Sequence, residues 1–66
     1  MQIQVNGVAR EVPEGLSVAG LLEELELIPT QVAVELNQRL VARRARAETI
    51  LSEGDELELV TLVGGG

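Results

Sequence analysis

Val18, Leu21, Leu22 and Leu25 stand at i, i+3, i+4 and i+7, the one clear stripe of helical period in these 66 residues. A single short helix cannot bury its apolar face against itself. Its cover has to come from segments of period two, which means a sheet. The chain has no Phe, Tyr, Trp or Cys, so the core must be built from Val, Leu, Ile and Ala. Hydrophobic residues make up 45% of the chain, enough for one small core and against disorder. Ser17 is placed to cap the helix. Glu23, Glu24 and Glu26 form its solvated side, and Pro29 closes the segment around Leu27-Ile28. Gly20 costs about 1 kcal/mol against Ala inside a helix. Close packing on a sheet is its expected reason.

Met1, Ile3 and Val5 alternate with Gln2 and Gln4, a half-buried strand. Asn6-Gly7 then predicts a type I′ hairpin turn, since both residues accept positive φ. The returning strand runs from Val8 to Val12, with those two valines on one face, and Pro13-Glu14-Gly15 stops it. Val32, Val34 and Leu36 predict a third strand, Asn37-Gln38 a turn, and Leu40-Val41 a short strand. Residues 43–51 fit a helical turn or an irregular loop. Ser52-Glu53-Gly54-Asp55 is a turn, and Glu56 to Leu62 the last strand, with Leu57 and Leu59 facing the helix stripe. Asp55 and Glu56 are adjacent and point to opposite faces, so they are turn residues rather than an acid/base pair. The expected fold is α+β: a mixed sheet of four or five strands with one helix across one face, the plan of a ubiquitin-like β-grasp.

The missing residues exclude most chemistry. Without His, Cys and Lys the chain lacks the usual general base, thiolate nucleophile, metal ligands and Schiff-base amine. Without aromatics it has no stacking platform for bases. Its formal charge of −6 repels a phosphate backbone, so no nucleic-acid partner is expected. No apolar run approaches the ~20 residues needed to span a bilayer. The N-terminus lacks the pattern of a signal peptide. The expectation is a cytoplasmic protein without a membrane partner.

The sequence reads to Gly64-Gly65-Gly66. The organisation expected is a folded domain over 1–63 and a flexible glycine tail over 64–66. Extended, three residues reach about 10 Å, and a glycine carboxylate is unhindered enough to enter a narrow channel. ATP can activate such a carboxylate as an acyl-adenylate, which a sulfur or amine nucleophile then attacks. The ordinary alternative is an idle end.

Taken together, several blocks resemble the ThiS family of sulfur carriers in thiamine-thiazole biosynthesis. They are Met1-Gln2-Ile3 with Asn6-Gly7, Leu21-Leu22, Val32-Ala33-Val34-Glu35-Leu36-Asn37, Val41 with Arg43, and Gly54 to Leu59 leading to Val63-Gly64-Gly65-Gly66. Ala42-Arg43 stands where family members often carry Pro before Arg. The resemblance implies that Gly66 is adenylated by an E1-like adenylyltransferase of the ThiF type, using ATP and magnesium. Sulfur from a cysteine desulfurase or another persulfide donor then makes a thiocarboxylate on Gly66. Thiazole synthase, of the ThiG type, takes that sulfur. Such a chain is a carrier and not an enzyme, binds no cofactor or metal itself, and has no lysine to capture its own activated tail. Related alternatives are a carrier for molybdopterin or tRNA thiolation that doubles as a protein modifier. A non-catalytic β-grasp interaction module is the alternative of a different class.

Two surface features remain. Val60 and Leu62 share the parity of Glu56 and Glu58, so they face away from the helix. With Val63 they make a docking patch at the base of the tail; scattered surface apolars are the ordinary alternative. Arg39, Arg43, Arg44 and Arg46 form the chain's basic cluster. It serves either an anionic partner or, as the simpler expectation, ion pairs with Glu35, Glu48 or Glu53.

Overall fold

The computed structural model describes residues 1–62. Five strands and one helix follow the expected order: β1 (Gln2–Val5), β2 (Val8–Glu11), α1 (Val18–Glu24), β3 (Val32–Leu36), β4 (Arg39–Leu40) and β5 (Glu56–Thr61). They form one mixed sheet in the order β2-β1-β5-β3-β4. β1 and β5 run parallel, while β1–β2, β3–β5 and β3–β4 are antiparallel. The last strand therefore enters the middle of the sheet. β2 and β3, which α1 connects, point the same way with two strands between them.

Both hairpins turn on left-handed residues. Asn6 and Gly7 have φ of 51° and 81°, and Asn37 and Gln38 have 51° and 70°, the signs a type I′ turn needs. The Ser17 hydroxyl accepts from Gly20 N at 3.0 Å, so the predicted cap is present. The helix stops at Glu24, earlier than Pro29 requires. Glu26 adopts φ 58°, its N–H donates to Glu23 O, and Leu27 N donates to Leu22 O, each at 3.0 Å. That is a Schellman cap with glutamate in the position glycine prefers. Leu22 and Leu27, the two ends of the longer bond, both pack into the core.

One face of the sheet is buried under α1. Ile3, Val34 and Leu57 meet Val18, Leu21 and Leu22, with Leu51 and Val41 closing the sides. Leu57 is fully buried as expected, while Leu59 and Leu25 are half-buried at the margin of the same cluster. Val12 is buried but Val8, on the same face at the hairpin tip of an edge strand, is 68% exposed. The reason expected for Gly20 is corrected by the structure. A Cβ there would lie 2.8 Å from Leu16 Cδ1 and 3.4 Å from Ser17 Oγ, so the space belongs to the preceding loop and not to the sheet.

Residues 43–51 combine both possibilities. A 3₁₀ turn over Arg43–Ala45 leads into irregular backbone that grips the start of the helix. Thr49 O accepts from Val18 N, and Leu51 N donates to Leu16 O, each at 2.9 Å. No helix among the described residues is long and apolar enough to cross a membrane.

Candidate functional site

The strand that leads to the glycines is held from both sides. Toward β3 the register places Val32 opposite Thr61, Ala33 opposite Val60 and Glu35 opposite Glu58. Beyond the paired strands, Leu62 N donates to Gln31 O at 2.7 Å. On the other side β1 offers two residue pairs, Gln4 with Glu56 and Val5 with Leu57, before it turns away. There the Asn6 side chain takes over. Its Oδ1 accepts from Leu59 N at 2.8 Å and its Nδ2 donates to Leu59 O at 3.2 Å. Asn37 does the corresponding work at the start of β5. Its Oδ1 accepts from Glu56 N and its Nδ2 donates to Asp55 Oδ1, both at 3.0 Å. The second oxygen of Asp55 accepts from Ser52 N at 2.7 Å, so Asp55 is a turn residue as read. Each hairpin asparagine thus has two roles: left-handed backbone for its own turn, and an amide that extends a sheet ladder it has left.

Side chains on the face away from α1 follow from the same registers. Glu56, Glu58 and Val60 of β5 lie there, with Ala33 and Glu35 of β3, Gln2 and Gln4 of β1, and Leu40 of β4. Val60 and Leu62 are 56% and 53% exposed, in the orientation their parity predicts. They sit at the end of β5 nearest the glycines, bordered by acids. The remaining candidates, Val63, Gly64, Gly65 and Gly66, and the domain boundary at 63/64 lie outside the described residues. Among the described residues no group of three or more His, Cys, Asp or Glu could hold a metal ion.

The arginine cluster does not form the expected ion pairs. Among the described residues the ion pair present joins the Met1 amino group to Glu11 Oε2 at 3.0 Å. Arg46 is instead buried, and its guanidinium donates to backbone carbonyls. Nη1 reaches Pro29 O at 2.9 Å and Nη2 reaches Val32 O at 2.6 Å. It ties the 43–51 segment to the entry of β3. Arg39, Arg43 and Arg44 are exposed. Of the proposed acidic partners, Glu53 accepts from Gln2 N at 3.0 Å and so anchors β1. Sequence reasoning grouped four arginines by proximity in the chain and missed that one of them is structural. The apolar neighbours Ala45 and Ala47 were the only hint.

Among the described residues there is no catalytic constellation. The fold holds β5 on both sides as far as Leu59, and on the β3 side as far as Leu62, beside a mixed apolar and acidic face. Comparison with known proteins agrees with that arrangement. The family model described as "ThiS family" matches residues 3–66. The sulfur carrier protein ThiS of Escherichia coli is 35% identical over 100% of both chains. A thiazole synthase of Magnetococcus marinus is 38% identical over 100% of this chain but 20% of its own length. The chain therefore spans about a fifth of the thiazole synthases it matches. The crystal structure of the thiamine biosynthesis protein ThiS from Geobacter metallireducens superposes with a TM-score of 0.86 at 36% identity, covering 100% of each chain.

Proposed function

The chain belongs to the ThiS family, and from that premise we propose that it is a sulfur carrier of thiamine biosynthesis whose Gly66 carboxylate is the reacting group. It is a carrier and not an enzyme: its partners supply every catalytic group. The observation that carries this reading is the full-length correspondence with the Escherichia coli carrier, in a family match that runs through Gly66.

A carboxylate resists substitution because oxide leaves badly. An E1-like adenylyltransferase overcomes this with ATP and magnesium. A Gly66 oxygen attacks the α-phosphorus, pyrophosphate leaves, and an acyl-adenylate remains. The terminal sulfur of a protein persulfide, charged by a cysteine desulfurase or a similar donor, then attacks the carbonyl and expels AMP. A second thiol cleaves the resulting acyl disulfide. Gly66 keeps one sulfur as a thiocarboxylate, and the two cysteine sulfurs become a disulfide. The chain has no cysteine, so both thiols belong to partners. This work is assigned to the cytoplasm, where ATP and persulfide sulfur are both at hand. Thiazole synthase is the client, a reading supported by two proteins of that name that contain segments 38% and 36% identical to this chain.

The docking surface for the activating enzyme is the face that carries Val60 and Leu62, with Val63 next in the chain. An arm of glycines costs about 1–2 kcal/mol per residue to order, so the folded body has to supply compensating affinity. Residues at the base of the arm are best placed to do so.

Deleting Gly66 tests the proposal. With the activating enzyme, ATP and a persulfide donor, the full chain should gain the mass of an oxygen-for-sulfur exchange. The shortened chain should keep its circular dichroism and fail to react. Sulfur transfer by the shortened chain at the rate of the full one would overturn it.

A further inference from the structure

Four of the five arginines lie within residues 39–46, a stretch with no acid, in a chain whose net charge is −6. Arg43 and Arg44 are exposed, and among the described residues no carboxylate lies within ion-pairing distance of either. Such a local reversal of the molecule's field selects partners of the opposite sign. Beside these arginines is a cleft of about 160 Å3 on the helix side of the sheet. Leu22 of α1, Pro29 and Ala47 give it apolar walls. Arg43 and Arg46 line it too, with Glu23 as its single acid. Arg46 is 6% exposed; two carbonyl oxygens meet its guanidinium, and its Nε has no partner among the described residues. Two cations against one anion leave the apolar cleft in a positive field. Small-molecule sites begin at about 300 Å3, whereas this space holds one apolar side chain. Arg46 also fixes where the cleft lies. Its Nη2 donates to Val32 O, and Val32 stands opposite Thr61. A protein seated there is one strand away from the end of β5.

We propose that this cleft and its arginine rim are the seat of thiazole synthase, which enters it with one apolar side chain flanked by a carboxylate for Arg43. The assignment rests on the carrier function above and gives the client a surface of its own. The activating enzyme has the opposite face, where Val60 and Leu62 sit among acids that call for a basic rim. A surface of the other sign, on the other side of the sheet, suits a different protein. The client is the other partner that has to reach the end of β5. A carrier passed from one protein to the next gains from this arrangement, because each partner is repelled by the seat of the other. Glu23 narrows the choice further: it opposes a second carboxylate, so the side chain that fills the cleft is apolar and the acid beside it turns to Arg43.

Titration of the full chain with purified thiazole synthase tests this. Arg43→Glu should weaken the complex about tenfold or more. Ala47→Trp, which fills the cleft, should weaken it as well. Glu23→Gln removes the acid that opposes the incoming carboxylate and should tighten it by about threefold. All three positions are exposed, so the variants should keep the native circular dichroism, and the activating enzyme should adenylate each of them as it does the wild type. The wild-type complex should weaken with added salt, and the Arg43→Glu complex less steeply. Equal affinity of the folded variants for thiazole synthase would overturn the seat. So would a loss of adenylation that parallels the loss of binding, since the surface would then serve the activating enzyme. Should Arg43→Glu not fold, Ala47→Trp and Glu23→Gln decide, with affinity expected to move in opposite directions. A wild-type chain that is adenylated while its variants bind thiazole synthase equally sinks the seat and leaves the carrier function standing. One whose binding follows these charges but which is never adenylated does the reverse, and absence of any complex with thiazole synthase overturns the seat.

Discussion

Arg46 shows how much can rest on one residue in a chain this small. A buried guanidinium without a carboxylate is expensive unless its donors find acceptors. Two do, at Pro29 O and Val32 O, while Nε has no partner. The two carbonyls belong to the segment that enters β3, and the Arg46 carbonyl accepts from Ala19 N at 3.1 Å, so one residue joins three parts of the fold. Arg46→Met keeps much of the apolar stem but orphans two acceptors, at about 1–3 kcal/mol each. We expect a clear loss of melting temperature by calorimetry. Arg46→Lys should recover only part of it, because a single ammonium lacks the fork that reaches both carbonyls. A melting temperature unchanged in Arg46→Met would show that the two hydrogen bonds add nothing net.

At the scale of elements, period and turn chemistry carried most of the information. Asn6-Gly7 located the first hairpin because few residue pairs accept two successive positive φ values. The Val18-Leu21-Leu22-Leu25 stripe located the helix because nothing else in the chain has that period. The end of the helix was less legible. Pro29 was the visible stop, but the Schellman cap at Glu26 uses a residue with no preference for left-handed backbone. Glu26→Gly should relieve that strain and raise stability by about 1 kcal/mol, read as a shift in the urea midpoint with unchanged slope. A lower midpoint would mean that the glutamate side chain contributes more than its backbone costs. The amide clamps of Asn6 and Asn37 were illegible for a different reason. Both residues were already explained by their turns, and a second role across 53 and 19 positions of sequence leaves no local signal.

On the scale of the whole molecule, the fold divides labour between its two faces. One is buried under α1 and supplies stability. The other carries Val60, Leu62 and the acids and, under the proposed function, supplies recognition. Substitutions on the second face should therefore separate binding from folding. Val60→Asp is expected to leave circular dichroism intact, since the side chain is 56% exposed. It should weaken the complex with the activating enzyme tenfold or more, roughly 1.4 kcal/mol. Titration at two salt concentrations should also show affinity falling with salt, as Glu56 and Glu58 meet a basic rim. Unchanged affinity in the folded variant would move the docking surface elsewhere.

Glu35 and Glu58 are directly opposite each other across β3 and β5, an arrangement that weakens a sheet when both are ionised. It also governs encounters between identical molecules. Two carriers that met through their exposed aliphatic residues would press both acidic pairs into one dry interface, at a cost in electrostatic energy. The pair thus sets a cost on contact between copies through this face, a cost that a protein bringing positive charge would not meet.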